Sequence, residues 1–436
     1  DKTLVLQPSR ELLIQNYCKL TSYGIPATIY SASCGKKELS NMIYATLGSI
    51  KKVVGQLKEM GIRNVLIDEA HAGYSPEDGS EFMTFMNELK PRKVIGFTAT
   101  PCRLKNMSIG QTSYSQLNFI TRMRPVYFKN LIHVIQVEEM IRQEFWTPLK
   151  YETWDFNGDA LKLNSNGSEY TAESISEAVR KNGLNNLILR RLMVLKDICR
   201  SILVFMDSVE SCNTAAEWMN AKICAGMAEV VHGGTPKKQR EAIVERFKSG
   251  GTQVVFNYSA LGTGFDHPGL DCVIVGRPTF SFSSFYQWLG RAVRIKDGKD
   301  SALVVDCCNN SSRFGDIREL SIENYKGYGW GMFIGDKLIT NIPMGDKVTK
   351  TDLDIKAAKK DRRRGLAQGI TASPVPGRPD HPLGSTVMTF GKYCGWMLHS
   401  IPVSYFKFIN ETFDWDNDRN KEIKEYIDFL IKNNRL

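Results

Sequence analysis

Val65-Leu66-Ile67-Asp68-Glu69-Ala70-His71 is the stretch that decides how this chain is read. An apolar run ends abruptly in two carboxylates and an imidazole, the pattern of a buried parallel strand whose C-terminal end opens onto a ligand site. Adjacent carboxylates at such a point suit phosphate chemistry. One holds Mg²⁺ through its waters, and its neighbour takes the proton from a water attacking a γ-phosphate. A helix N-terminus, where acidic residues favour the dipole, accounts for the same four letters equally well.

Further along, Gln287-Trp288-Leu289-Gly290-Arg291-Ala292-Val293-Arg294 reads as a helix with Ser283 or Ser284 as its cap. Gln287, Arg291 and Arg294 then stand at i, i+4 and i+7 on one face, and Phe285, Leu289, Ala292 and Val293 turn to a core. Two guanidinium forks beside Gly290 suit a polyphosphate; a solvated basic face is the bland alternative.

Short β-branched runs alternate with helical stretches, which predicts an α/β fold with parallel sheets covered on both faces. Candidate strands are 4–6, 65–68 and 93–97, then 202–205, 254–257, 272–275 and 302–305. The helix after Thr235-Pro236 is expected to begin with a cap and an N1 proline and to end near Gly250. The length of 436 residues and 42% hydrophobic content suffice for two or three cores. A net charge of +10 points to a polyanionic partner. The absence of a signal-peptide pattern and of a bilayer-length apolar stretch predicts a soluble intracellular protein with no membrane association. The ten cysteines are scattered without a C-x-x-C pair and the six histidines lack ligand spacing, which argues against zinc or iron–sulfur sites.

Together these blocks resemble a superfamily-two helicase of the D-E-A-H-box kind, related to the phage and bacterial RecG and UvsW groups. The likeness is carried in order by Leu4 to Leu12, Ala45-Thr46-Leu47-Gly48-Ser49, Asp68 to His71 and Gly96-Phe97-Thr98-Ala99-Thr100-Pro101. It continues through Ile202 to Ser208, Val231 to Thr235, Leu261-Gly262-Thr263-Gly264-Phe265-Asp266 and Gln287 to Arg294. It covers roughly three quarters of the chain. The resemblance implies two tandem RecA-like domains, at 1–135 and 201–345, joined by a connection at 136–200. A basic, Pro/Gly-rich linker follows at 346–386, with Lys356, Lys359, Lys360 and Arg362 to Arg364. It is a DNA-phosphate contact or an ordinary solvated tether. A small module at 387–436 resembles a phage and bacterial domain of unknown function; Trp396, Tyr405 and Phe406 are either its gripping surface or its core.

The resemblance further implies ATP and Mg²⁺ as cofactors, Asp68 as the Mg²⁺ carboxylate, Glu69 as the base and Gln287, Arg291 and Arg294 on the nucleotide. His71, Thr98 and Thr100 would couple the site, and Gly264 and Asp266 would touch ribose or the arginines. Pro8, Ser9, Arg10, Thr46, Gly48, His232, Gly233 and Thr263 would hold DNA, single-stranded or branched, without reading sequence. The implied activity is an ATP-dependent DNA helicase or translocase acting in replication, recombination or repair, with replication or recombination proteins as possible partners of the C-terminal module. The implied setting is the cytoplasm of a bacterial or phage-infected cell. A DNA- or partner-binding protein with a vestigial motor, and the motor subunit of a restriction or defence system, remain open alternatives.

One block of the pattern is missing. No G-x-x-x-x-G-K-[ST] occurs in these residues, and the loop that cradles β- and γ-phosphates is expected upstream of Asp1, leaving this stretch by itself inactive. A true pseudo-ATPase is the alternative.

Overall fold

The computed structural model describes residues 2–77, 79–109, 112–165, 167–261, 265–344, 346–357, 383, 386, 388–389, 393, 396–412, 415 and 420–433. Thr263 and Gly264, named above for nucleic acid and nucleotide, lie outside them, as do Lys359, Lys360 and Arg362 to Arg364 of the basic cluster. Residues Asp1–Lys350 form one compact unit and Thr351–Leu436 a second.

The first unit holds two six-stranded sheets of the expected α/β kind. In the first, β1 (Thr3–Leu6), β2 (Thr28–Ser31), β4 (Met42–Ala45), β5 (Asn64–Ile67) and β6 (Lys93–Gly96) run parallel, and the two-residue β3 (Lys36–Lys37) runs antiparallel at one edge. The order is β3-β2-β4-β1-β5-β6, so β6 is the opposite edge. The sequence forms this sheet because its central strands are apolar on both faces: all four residues of β1 are buried. In the second sheet, β9 (Leu149–Thr153), β10 (Ile202–Phe205), β11 (Ala228–His232), β12 (Val254–Tyr258), β13 (Cys272–Val275) and β14 (Ala302–Asp306) are all parallel, in the order β11-β12-β10-β13-β14-β9. Residues 149–153, inside the expected connection, are thus an edge strand beside β14.

Two smaller sheets complete the unit. A hairpin, β7 (Cys102–Ile109) and β8 (Thr112–Phe119), leaves the first sheet directly after β6. Its alternation is amphipathic: Cys102, Leu104, Leu117 and Phe119 turn to the core, while Arg103, Lys105, Gln116 and Asn118 share the other face. A four-stranded antiparallel sheet follows, with β15 (Leu320–Tyr325), β16 (Gly329–Ile334), β17 (Lys337–Leu338) and β18 (Val348–Thr349).

In the second unit, helices Val403–Thr412 and Lys421–Lys432 close over a core that includes Met388, Phe406, Ile409, Ile423, Tyr426 and Leu430. Phe406 is fully buried, and Trp396 and Tyr405 pack against the same cluster, with Tyr393 5.1 and 4.7 Å from them. These aromatic residues are therefore largely structural.

Candidate active site between two parallel sheets

The β5 strand stops at Ile67, and the chain turns sharply. Glu69 takes a left-handed φ of 47°, a conformation that costs a side-chain-bearing residue energy and is held by its surroundings. Ala70 N–H donates to Phe97 O at 2.9 Å, and Phe97 N–H to Ile67 O at 2.8 Å, stitching the turn to the end of β6. Gly96 permits this approach: a Cβ there would stand 2.7 Å from Ala70 Cβ and 2.8 Å from the Phe128 ring. Arg103 braces the same loop by donating to Ala70 O (3.0 Å) and Tyr74 O (2.7 Å).

Asp68 accepts from Asn16 Nδ2 at 2.9 Å and from the Glu69 amide at 2.9 Å. Burial, then repulsion by Glu69, nevertheless holds its carboxyl above the ordinary carboxylate range. Glu69 Oε2 is shielded from solvent and, among the described residues, makes no hydrogen bond; it lies 3.2 Å from His71 Nδ1, but that nitrogen is engaged 2.8 Å from Thr98 Oγ1. Thr98 Oγ1 also accepts the Thr100 amide at 3.1 Å, and Thr100 itself is fully buried. Two under-compensated neighbouring carboxylates fit a divalent cation. Among the described residues no cluster of three or more His, Cys, Asp or Glu forms a cage, so water and substrate oxygens would complete the coordination.

The opposite wall differs from the sequence expectation. The helix spans only Phe282–Leu289 and its cap is Ser281, whose Oγ accepts the Ser284 amide at 3.2 Å, rather than Ser283 or Ser284. Arg291 and Arg294 sit in the turn beyond Gly290. Tertiary bonds bend the chain there: Thr147 donates its amide to Val293 O (2.7 Å) and its hydroxyl to Arg294 O (2.9 Å), and Lys299 Nζ takes Ala292 O (2.7 Å) and Arg294 O (2.8 Å). Arg291 Nη1 donates to Phe265 O at 2.6 Å. Burial, then Arg294, pulls its guanidinium down to about 10, against the opposing pull of Glu69 and Asp266, so it stays charged at neutral pH. Arg294 pairs with Asp266 at 3.5 Å.

Asp68, Glu69 and Thr98 from the first sheet and Gln287, Arg291 and Arg294 from the second line one cavity of about 730 Å³. The described residues named for nucleic acid are not in its lining. Ser9 caps the helix Arg10–Ser22 through Leu12 N–H (3.2 Å), and Arg10 Nε donates to Ser33 O (2.9 Å). Thr46 and Gly48 follow β4 beside them, with Thr46 Oγ1 3.3 Å from Ser31 Oγ. Pro8 follows β1, His232 ends β11 and Gly233 follows it, and His232 Nδ1 accepts from Gly234 N–H (3.1 Å). Thr235 Oγ1 accepts the His232 amide and caps no helix; Pro236, not at N1, occupies the cap position of Lys237–Ser249. Sequence reasoning missed Asn16 and Arg103. Neither belongs to a motif, and only their tertiary bonds reveal them.

Residues 184–296 match the family described as the helicase conserved C-terminal domain. Over 319 residues the chain is 24% identical to "Putative ATP-dependent helicase IRC3" of Saccharomyces cerevisiae, covering 71% of this chain and 44% of that protein. It is 24% identical over 306 residues to a "51.5 kDa protein" of a Lactococcus phage, covering 70% and 59%. The chain thus spans about half the length of the curated relatives it matches. Among solved structures, a fragment of a "putative HsdR subunit of a type I restriction enzyme" from Vibrio vulnificus superposes with a TM-score of 0.50 at 19% identity, over 72% of this chain and 54% of that one. No described helix is long and apolar enough to cross a membrane. The chain is helicase-like: residues 184–296 match the helicase C-terminal domain, and its two parallel sheets are those of RecA-like motor domains.

Proposed function

We propose that this chain is the greater part of the motor of an ATP-dependent DNA helicase or translocase that remodels branched DNA in replication, recombination or repair. The observation that carries this reading is that Glu69 and Arg291, 222 positions apart and from different sheets, line one cavity. In it Glu69 is the base for the attacking water, and Arg291 and Arg294 meet the γ-phosphate across the gap. Asp68 would hold Mg²⁺, which when bound supplies charge neutralisation at the phosphates. Gln287 positions the water or nucleotide, and His71, Thr98 and Thr100 tie the base to the hairpin root. Pro8 to Arg10, Thr46, Gly48, His232, Gly233 and Thr263 touch backbone phosphates, and Gly264 and Asp266 the nucleotide's ribose or the arginines.

The phosphate-gripping loop is proposed to come from outside residues 1–436. Supporting this, β6 ends its sheet with one side unpaired by any described strand, and Phe97, Ile132, Ile135 and Phe145 on the cavity wall are each more than half exposed. A further strand added to β6 would cover them and bring its loop to Asp68.

The test uses the complete protein. Arg291→Ala should lower DNA-stimulated ATP turnover by roughly 10³ to 10⁵, with Arg291→Lys a poor rescue because a point charge lacks the fork. Glu69→Gln should abolish turnover while DNA binding persists, and residues 1–436 alone should bind DNA yet hydrolyse almost no ATP. Turnover insensitive to both substitutions would sink the reading, and comparison of fork, junction and RNA-duplex substrates tests the branched-DNA assignment.

A further inference from the structure

The polar face of the β7–β8 hairpin borders a second cavity of about 430 Å³ that shares no lining residue with the cleft. Lys105, Arg122 and Arg124, all exposed, stand around it, and no carboxylate is in its lining. Among the described residues none of the three cations forms an ion pair. Lys105 Nζ lies 3.5 Å from Arg124 O, Arg124 Nη1 donates to Met123 O at 3.2 Å, and the Arg122 guanidinium stacks 4.3 Å over the Tyr328 ring. Like charges gathered without a counter-ion repel one another, and an anion relieves that repulsion.

The floor is polar and uncharged, with Gln116, Asn118, Thr121 and Asn341. Asn118 is 7% exposed, and its Oδ1 accepts from Gln116 Nε2 at 2.5 Å. Asn341 holds a left-handed φ of 56°, and its Oδ1 accepts the Phe119 amide at 3.1 Å. That bond fixes the side chain with Nδ2 shielded from water and, among the described residues, without a hydrogen-bond partner. The Asn341 side chain is thus neutral and held in place, and a carboxylate there would set a negative charge against an incoming oxyanion.

We propose that this pocket binds a phosphate of the nucleic-acid backbone, so that the hairpin carries a contact separate from the motif-bearing strand ends. The cations are exposed, as contact with a passing polymer requires, and the lining contains no aromatic ring on which a base would stack. The contact is therefore indifferent to base identity. This inference rests on the reading that the chain binds nucleic acid.

The experiment is fluorescence anisotropy of the full chain with labelled single-stranded and duplex oligonucleotides across a salt series, with thermal melting of each variant. Lys105→Gln/Arg124→Gln leaves the Tyr328 stack intact, and Asn341→Asp keeps the acceptor for Phe119 N–H while placing a negative charge on the floor. Both should weaken binding about tenfold for any sequence. The double variant should also flatten the slope of log affinity against log salt by about 0.7–0.9 for each phosphate it no longer neutralises, with melting unchanged. If the parent binds and both variants match it in affinity and slope, this inference alone fails; if the parent does not bind, the proposed function fails with it. Inorganic phosphate stabilising the parent but not the variants, with nucleic-acid binding equal in all, would also overturn the proposal by marking a small-anion site.

Discussion

His267 is nearly sealed from solvent, with Nε2 2.8 Å from Ser201 Oγ. Burial, then the positive charges of Lys248, Lys296 and Lys299, outweigh Asp271 and hold its imidazole at about 4. A folded-state pKa below the unfolded value of about 6.5 means the unfolded chain binds the extra proton first. The stability this imidazole contributes is full above about 6.5 and is lost as pH falls toward 4. Urea midpoints for the parent should drop across that window, and His267→Gln should flatten the drop; an equal slope in both would exclude His267 as its source. At this scale the sequence spoke unevenly. Asp68 and Glu69 stood out because they end an apolar run and are followed by further blocks in a recognisable order. Asn16 and Arg103 did not, since a single amide or guanidinium acquires meaning only from the partner that folding brings to it.

The helix Phe282–Leu289 shows the same limit for an element. Helix-compatible residues continue past Gly290, and periodicity alone extends the helix to Arg294. Its regular bonding tightens where Arg291 N–H turns to Trp288 O and Ala292 N–H to Leu289 O, and Thr147 and Lys299 hold the carbonyls of residues 292–294 beyond it. At the other end Ser281→Ala removes the cap on Ser284 N–H and should cost about 1 kcal/mol, read as a lower urea midpoint, whereas Ser283→Ala should cost little. An equal loss in both would contradict the placement of the cap. Strands were most legible where apolar on both faces, as in β1, β10 and β13, each buried throughout. The edge strand β9, Leu-Lys-Tyr-Glu-Thr, alternates with polar residues and gains its identity only beside β14.

For the molecule as a whole, the chain builds two parallel sheets whose ends meet at one gap, and the order of motifs along the sequence foretold that meeting better than any distance within it. The terminal position of β6 has a practical corollary. A row of backbone amides and carbonyls beside bare Phe97 and Ile132 is a template for a second copy, blunted chiefly by Lys93 at its start. Purified at high concentration, residues 1–436 should scatter light increasingly with time, and Phe97→Asp should slow this. Clear solutions of both proteins at all concentrations would count against it. What will look like poor behaviour in a test tube is then the ordinary appetite of an open sheet edge.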